Sequence, residues 1–178
     1  KTTTVSLLEQ VINDSIAIGN NGLPFFDYIN SIENKILEVS SFMLENSNHI
    51  KYKYNVITNL FKTHLEHHLT FSDYVKSKIN VLRNLKEDDY VIYNYDDVLL
   101  RRIVQSYKIK SVSVSLHDIN CDLYLKDKFI YYKNKMLVNT EKIKIKGKHN
   151  LYNIMFSLGV CMNHPCRCDN YIDKILNF

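Results

Sequence analysis

Glycine and proline are scarce in this chain of 178 residues, which has four glycines and two prolines. That scarcity leaves no Gly/Pro/Ser-rich linker and no low-complexity stretch, so no sharp second domain boundary is expected. Tryptophan is absent and Ala17 is the only alanine. With Ile, Lys, Asn and Tyr abundant, this skew reads as adenine- and thymine-rich coding and says little about function. No apolar run approaches the length of a membrane span, and no charged-then-apolar leader opens the chain. The expectation is a soluble, cytoplasmic protein with no membrane partner. The net charge of +4 is mild. Its lysines are scattered rather than bunched, so no nucleic-acid partner is expected. At 46% hydrophobic residues the chain can still build a substantial core.

Cysteine is also sparse. Three of the four cysteines, Cys161, Cys166 and Cys168, lie in "CMNHPCRC" together with His164. The spacing does not match the paired C-x-x-C framework of zinc sites. Two readings stay open: a zinc site in this segment, or free thiols in a reducing compartment.

Short apolar runs alternate with helical stripes. Residues 35–39, 54–59, 90–94 and 111–116 read as strands. Residues 2–13, 73–84 and 97–107 read as helices, the second with Asp73 as its N-cap. This alternation predicts an α/β fold with a mostly parallel sheet flanked by helices. A small antiparallel meander is expected near residues 121–146, with turns at Lys126–Asp127 and Asn134–Lys135. The run "KIKIKG" alternates strictly up to Gly147, and a helix is expected from about Asn150 to Met162.

Five constellations could carry chemistry. Lys1-Thr2-Thr3 opens a helix as the end of a phosphate-binding loop does: ammonium for phosphate oxygens, hydroxyl for Mg²⁺. As a bare scrap it equally reads as a helix cap. Glu38 ends a predicted parallel strand, where the ligand crevice of an α/β sheet opens, and could hold Mg²⁺ or simply be solvated. His64 follows the next strand end at Asn59, with His67 and His68 nearby, as a ligand or a solvated side chain. Lys78 lies at the edge of an apolar helical stripe. It either extends its ammonium to water or, as a buried neutral amine, can become a carbamate that binds metal. In "GKHNLYN", Gly147 ends a strand, His149 and Asn150 open a helix, and Asn153 sits one turn inside. That amide could read a base edge, or the segment could be plain capping.

Taken in order, Lys1-Thr2-Thr3, "GNNG" (19–22), "EVSSF" (38–42), "VITN" (56–59), "HLEHHLTFSDYVKSK" (64–78), "NYDD" (94–97) and "GKHNLYN" (147–153) resemble the central ATP-binding domain of the Mur ligase family. The resemblance runs from Lys1 to about Met162. "GNNG" with "SSF" is most similar to the family members that add D-glutamate to UDP-N-acetylmuramoyl-L-alanine.

This resemblance implies a P-loop ATPase-like domain over residues 1–178, with an amino-terminal UDP-binding domain and a carboxy-terminal domain outside it, in a monomeric protein. It implies an ATP-dependent amide ligase working through an acyl phosphate, with UDP-N-acetylmuramoyl-L-alanine and D-glutamate as substrates and two Mg²⁺ ions. Lys1, Thr2 and Thr3 would meet the phosphates, and Asn153, His149 and Asn150 the rest of the nucleotide. Thr2 and Glu38 would hold one Mg²⁺, and His64 and carbamylated Lys78 the other. Lys1, Lys78 and His64 would be catalytic, and Asn20, Ser40 and Asn59 would lie by the muramoyl substrate. Met43, Thr63 and Asn21 depart from the family pattern, where Gln, Asp and an apolar residue are usual. Another Mur ligase, a folylpolyglutamate synthase, and a non-catalytic zinc-binding interaction module are the alternatives.

Overall fold

A computed structural model describes residues 1–20, 23–28, 30–45, 50–61, 68–164 and 170–178. The elements in chain order are α1 (Thr2–Val11), β1 (Ser15–Gly19), β2 (Asn34–Glu38), α2 (Ser41–Glu45), β3 (Tyr54–Ile57), α3 (Phe71–Ile79), β4 (Tyr90–Asn94), α4 (Val98–Ser106), β5 (Lys110–Ser115), β6 (Leu123–Lys126), β7 (Phe129–Tyr132), β8 (Lys135–Asn139), α5 (Lys148–Cys161) and α6 (Tyr171–Asn177). Of these, β1, α2 and α6 are not foreseen from periodicity. Each is short, and the run "SIAIG" does not alternate.

The main sheet has the order β3-β4-β5-β6-β7-β8. Its first four strands are parallel and its last two antiparallel. The meander is thus continuous with the parallel sheet, because β6 pairs with β5 on one edge and β7 on the other. Its turns carry left-handed residues, Asp127 at φ 54° and Lys133 and Asn134 at φ 45° and 68°. The short polar side chains of Asp127 and Asn134 tolerate this conformation, which puts turn chemistry where the sequence showed it. The alternating "KIKIKG" forms no strand. A 3₁₀ turn over Thr140–Lys142 precedes it, and Ile143 is buried against the core. Alternation alone says that two side chains point inward; a ladder also needs a partner edge.

Two cores follow from the period of two along β4. Ile92 faces a cluster with Leu7, Leu8, Val112, Val114, Met155 and Phe156. Its neighbours Val91 and Tyr93 face the opposite cluster with Leu82, Leu100 and Val104. Helices α1 and α5 therefore cover one face, and α3 and α4 the other, as a parallel sheet requires. Helix α4 is capped by Asp97, whose carboxylate accepts from Leu100 N–H at 3.0 Å. Helix α3 is capped by Thr70, not Asp73: the Thr70 hydroxyl accepts from Asp73 N–H at 3.2 Å. The helix starts a turn earlier because Thr70 satisfies that donor, while Asp73 adds negative charge to the first turn.

Strands β1 and β2 form a separate two-stranded parallel sheet. Among the described residues, no backbone hydrogen bond joins β2 to β3.

Candidate active site

The register of β1 with β2 places Gly19 beside Glu38. Gly19 has φ +100°, and a Cβ there would lie 2.6 Å from the Glu38 carbonyl oxygen. Only glycine allows β1 to end this close, so that Asn20 N–H donates to the same carbonyl at 2.9 Å. The Glu38 side chain is 4% exposed. A buried carboxylate needs partners. The Thr2 hydroxyl donates to its Oε2 at 2.9 Å, and the Lys1 ammonium stands 3.9 Å from its Oε1. Lys1 Nζ also donates to the Val39 carbonyl at 3.3 Å. Helix α1 starts at Thr2, with no side-chain cap and no acidic residue in its first turn. Its free N–H groups and positive dipole end therefore open beside Lys1, an arrangement suited to an anion.

The end of β3 supplies the opposite wall. Lys78 Nζ donates to the Asn59 carbonyl at 2.6 Å and lies 5.1 Å from the centre of the Tyr74 ring. The ammonium is thus turned back over an aromatic face rather than extended to bulk water. Lys1, Glu38, Thr58 and Lys78 line one cavity of about 570 Å³. Lys1, Glu38 and Lys78 therefore line the same cavity, and Thr2 holds the Glu38 carboxylate. His64, with Thr63 and His67, lies outside the described residues, as do Asn21, Cys166 and Cys168.

Ser40 and Asn59 sit just beyond β2 and β3, and Asn20 beyond β1. The Ser40 hydroxyl accepts from Met43 N–H at 3.3 Å, which starts α2 and leaves the Phe42 and Met43 side chains 38% and 39% exposed. Asn153 is linked to α1 rather than to β2: Thr4 Oγ1 donates to its Oδ1 at 3.1 Å, and its Nδ2 donates to Asn150 Oδ1 at 3.2 Å. Asn150 closes the turn by donating to the Lys146 carbonyl at 2.9 Å, while His149 is exposed. Among the described residues no group of three His, Cys, Asp or Glu gathers as a metal cluster, and Cys161 is buried.

Two polar nodes escape sequence reasoning. Buried His68 spans Ser41 Oγ at 3.0 Å and Glu45 Oε1 at 3.0 Å, and stacks on Phe42 at 5.5 Å. With Asn80 donating to the Leu44 carbonyl at 3.0 Å, it ties α2 to the helix that carries Lys78. Asp96 accepts from Ser115 Oγ at 2.6 Å, from Leu116 N–H at 2.9 Å and from the Tyr152 hydroxyl. Burial, then the hydrogen bond to Asp96, pushes the Tyr152 phenol well above its ordinary range. This node pins α5, and with it Asn153, to the ends of β4 and β5. Both residues lie in stretches quoted above, "HLEHHL" and "NYDD", but nothing local in those stretches gives their partners.

A family model described as "Mur ligase middle domain" matches residues 1–161. The chain belongs to the Mur ligase family. It is 31% identical over 186 residues to a UDP-N-acetylmuramoylalanine--D-glutamate ligase of Oceanobacillus iheyensis, covering 100% of this chain and 41% of that protein. It is 28% identical over 167 residues to the ligase of that name from Streptococcus agalactiae, covering 90% of this chain and 37% of the relative. The chain thus spans about two fifths of the length of these relatives. Among solved structures, a UDP-N-acetylmuramoyl-L-alanyl-D-glutamate--2,6-diaminopimelate ligase superposes with TM-score 0.79 at 18% identity, over 100% of this chain and 44% of that one. MurF ligase from Thermotoga maritima, solved in complex with ADP, gives TM-score 0.76 at 20% identity, over 99% and 45%. At these identities the structures speak for the fold, an α/β Mur ligase domain with a mostly parallel sheet.

Proposed function

We propose that this chain is the nucleotide-binding unit of an ATP-dependent ligase of peptidoglycan synthesis that joins D-glutamate to UDP-N-acetylmuramoyl-L-alanine, yielding an amide, ADP and phosphate. The observation that carries the reading is the buried Glu38 carboxylate clasped by the Thr2 hydroxyl and faced by Lys1 at the open end of α1. Lys1 and the first N–H groups of α1 would bind the phosphates, and Asn153, with Asn150 and His149, would lie along the remainder of the nucleotide. Thr2 and Glu38 offer only hard oxygen donors, which suits Mg²⁺. Bound there, Mg²⁺ would neutralise charge developing on the transferring phosphoryl group. Lys78 lines the same cavity, where a carbamate on its amine would turn a cation into a second oxygen ligand, with His64 as its partner. The D-glutamate assignment is supported by the names of the relatives and by "GNNG" with "SSF", while exposed Met43 is the position where acceptor choice is open to change.

Phosphate release by a polypeptide of the relatives' length that carries residues 1–178 tests the proposal. Release should require both UDP-N-acetylmuramoyl-L-alanine and D-glutamate. Release that ignores either one, or that follows a different amino acid or a folate, removes the assignment.

A further inference from the structure

The backbone leaving β3 is held at one peptide group. The Asn59 carbonyl and the Leu60 N–H belong to the same planar unit and point to opposite sides of it. Lys78 Nζ donates to that carbonyl at 2.6 Å. On the other side, Leu60 N–H donates to Asp97 Oδ2 at 2.7 Å. An ammonium thus sits at the negative end of the peptide dipole and a carboxylate at its positive end. Each contact is charge-assisted, and each polarises the other. Leu60 is 5% exposed and belongs to the cluster with Leu82 and Leu100, which keeps water from competing for its N–H.

Capping alone does not account for Asp97. Its Oδ1 accepts from Leu100 N–H at 3.0 Å, and that suffices to start α4, a task serine or asparagine performs as well. The second oxygen is committed to Leu60. Asp96 faces elsewhere, taking Ser115, Leu116 and Tyr152. The acid pair of "NYDD" therefore divides: one member serves the end of β5 and α5, the other the end of β3 and Lys78. Lysine carries its charge on a long flexible stem. An amine placed by one carbonyl is only as fixed as that carbonyl.

We propose that Asp97 is a positioning residue for Lys78: by anchoring the Asn59–Leu60 peptide from behind, it fixes the carbonyl that holds the lysine amine at the cavity wall. This rests on the ligase reading of the site, in which Lys78 works beside the transferring phosphoryl group. Asp97 touches no reactant and acts through the peptide. Its loss costs turnover rather than nucleotide binding, since Lys1, Thr2, Glu38 and Asn153 are held by other contacts.

The test uses a polypeptide of the relatives' length that carries residues 1–178, labelled with ¹⁵N-leucine. Lys78→Met removes the ammonium from the far side of the peptide and should move the Leu60 amide proton upfield, although nothing that this N–H touches has changed. Asp97→Asn and Asp97→Ser both keep a capping group for α4 and should move the same signal upfield, the serine variant further. Turnover with UDP-N-acetylmuramoyl-L-alanine and D-glutamate is counted per nucleotide-binding site by calorimetry, so that an unfolded fraction does not enter. It should fall about tenfold in Asp97→Ser and less in Asp97→Asn, with KM for ATP unchanged. A Leu60 amide that ignores Lys78→Met, wild-type turnover in Asp97→Ser, or a KM for ATP that rises in step with lost turnover overturns the proposal. Wild-type phosphate release that ignores either substrate overturns the ligase reading and is seen before any variant is compared. The Leu60 response, read without substrates, supports or overturns the anchoring separately.

Discussion

At the scale of single residues, Glu38 is the group on which the site turns. Glu38→Gln keeps an acceptor for Thr2 but removes the charge that faces Lys1. ATP with Mg²⁺ should then bind about tenfold more weakly, the worth of one charge-assisted contact. Titration calorimetry should show EDTA weakening the wild type and leaving the variant nearly unchanged. A variant that keeps the full Mg²⁺ dependence would remove Glu38 from the metal site. Cys121 gives a pH test. Burial pushes its thiol up to about 11 from an ordinary 9. The folded state holds the proton more tightly, so this contribution to stability is complete below pH 9 and is lost as pH rises toward 11. Alkylation of Cys121 at pH 8 should be about a hundredfold slower in the native chain than in urea, as followed by mass spectrometry. Much at this scale was legible in the sequence: Glu38 at a strand end and Lys78 at the edge of a helical stripe are both one-dimensional patterns. The His68 and Asp96 nodes were not, because their partners lie 27 residues away at Ser41 and 56 away at Tyr152.

At the scale of elements, the junction of β1 with β2 is the sensitive point. Gly19→Ala would place a methyl against the Glu38 carbonyl and demand a left-handed backbone from a residue with a Cβ. It should cost about 1–3 kcal/mol in urea unfolding and loosen ATP binding, because β2 must shift to relieve the contact. Thr70→Ala should cost about 1 kcal/mol by removing the α3 cap, read as a lower urea midpoint with an unchanged slope. The α3 start also shows why boundaries were harder to read than elements. Both Thr70 and Asp73 can cap, and which one does depends on where the following stripe docks. The alternating "KIKIKG" was misleading for a related reason: burial of Ile143 mimics a strand, yet the run pairs with no strand edge.

At the scale of the whole molecule, two sheets of unequal size share the helical layer of α1. A two-stranded parallel sheet is weak by itself. Native-state hydrogen exchange should therefore show amides of β1 and β2 opening at lower free energy than those of β4 and β5, although Ile18 is as buried as Ile92. Equal protection across both sheets would mean that the packing of α1 couples them fully. The isolated chain should bind nucleotide yet release no phosphate with the ligase substrates, since binding without correctly held reactants gives no rate.

The sequence by itself determined the alternation of strands and helices, the turn chemistry of the meander, and the order of motifs that marks a Mur ligase domain. The first two are properties of neighbours along the chain, set by side-chain period and backbone preference, and the third is a resemblance carried by the motifs themselves. Only the tertiary structure decided that the meander extends the parallel sheet, that Glu38 at the end of β2 and Lys78 on α3 face one cavity, and that β2 and β3 stand apart across it. Those facts depend on which edges find partners and which charges find counter-charges. That is a matter of contacts between residues far apart in sequence, which no local pattern encodes.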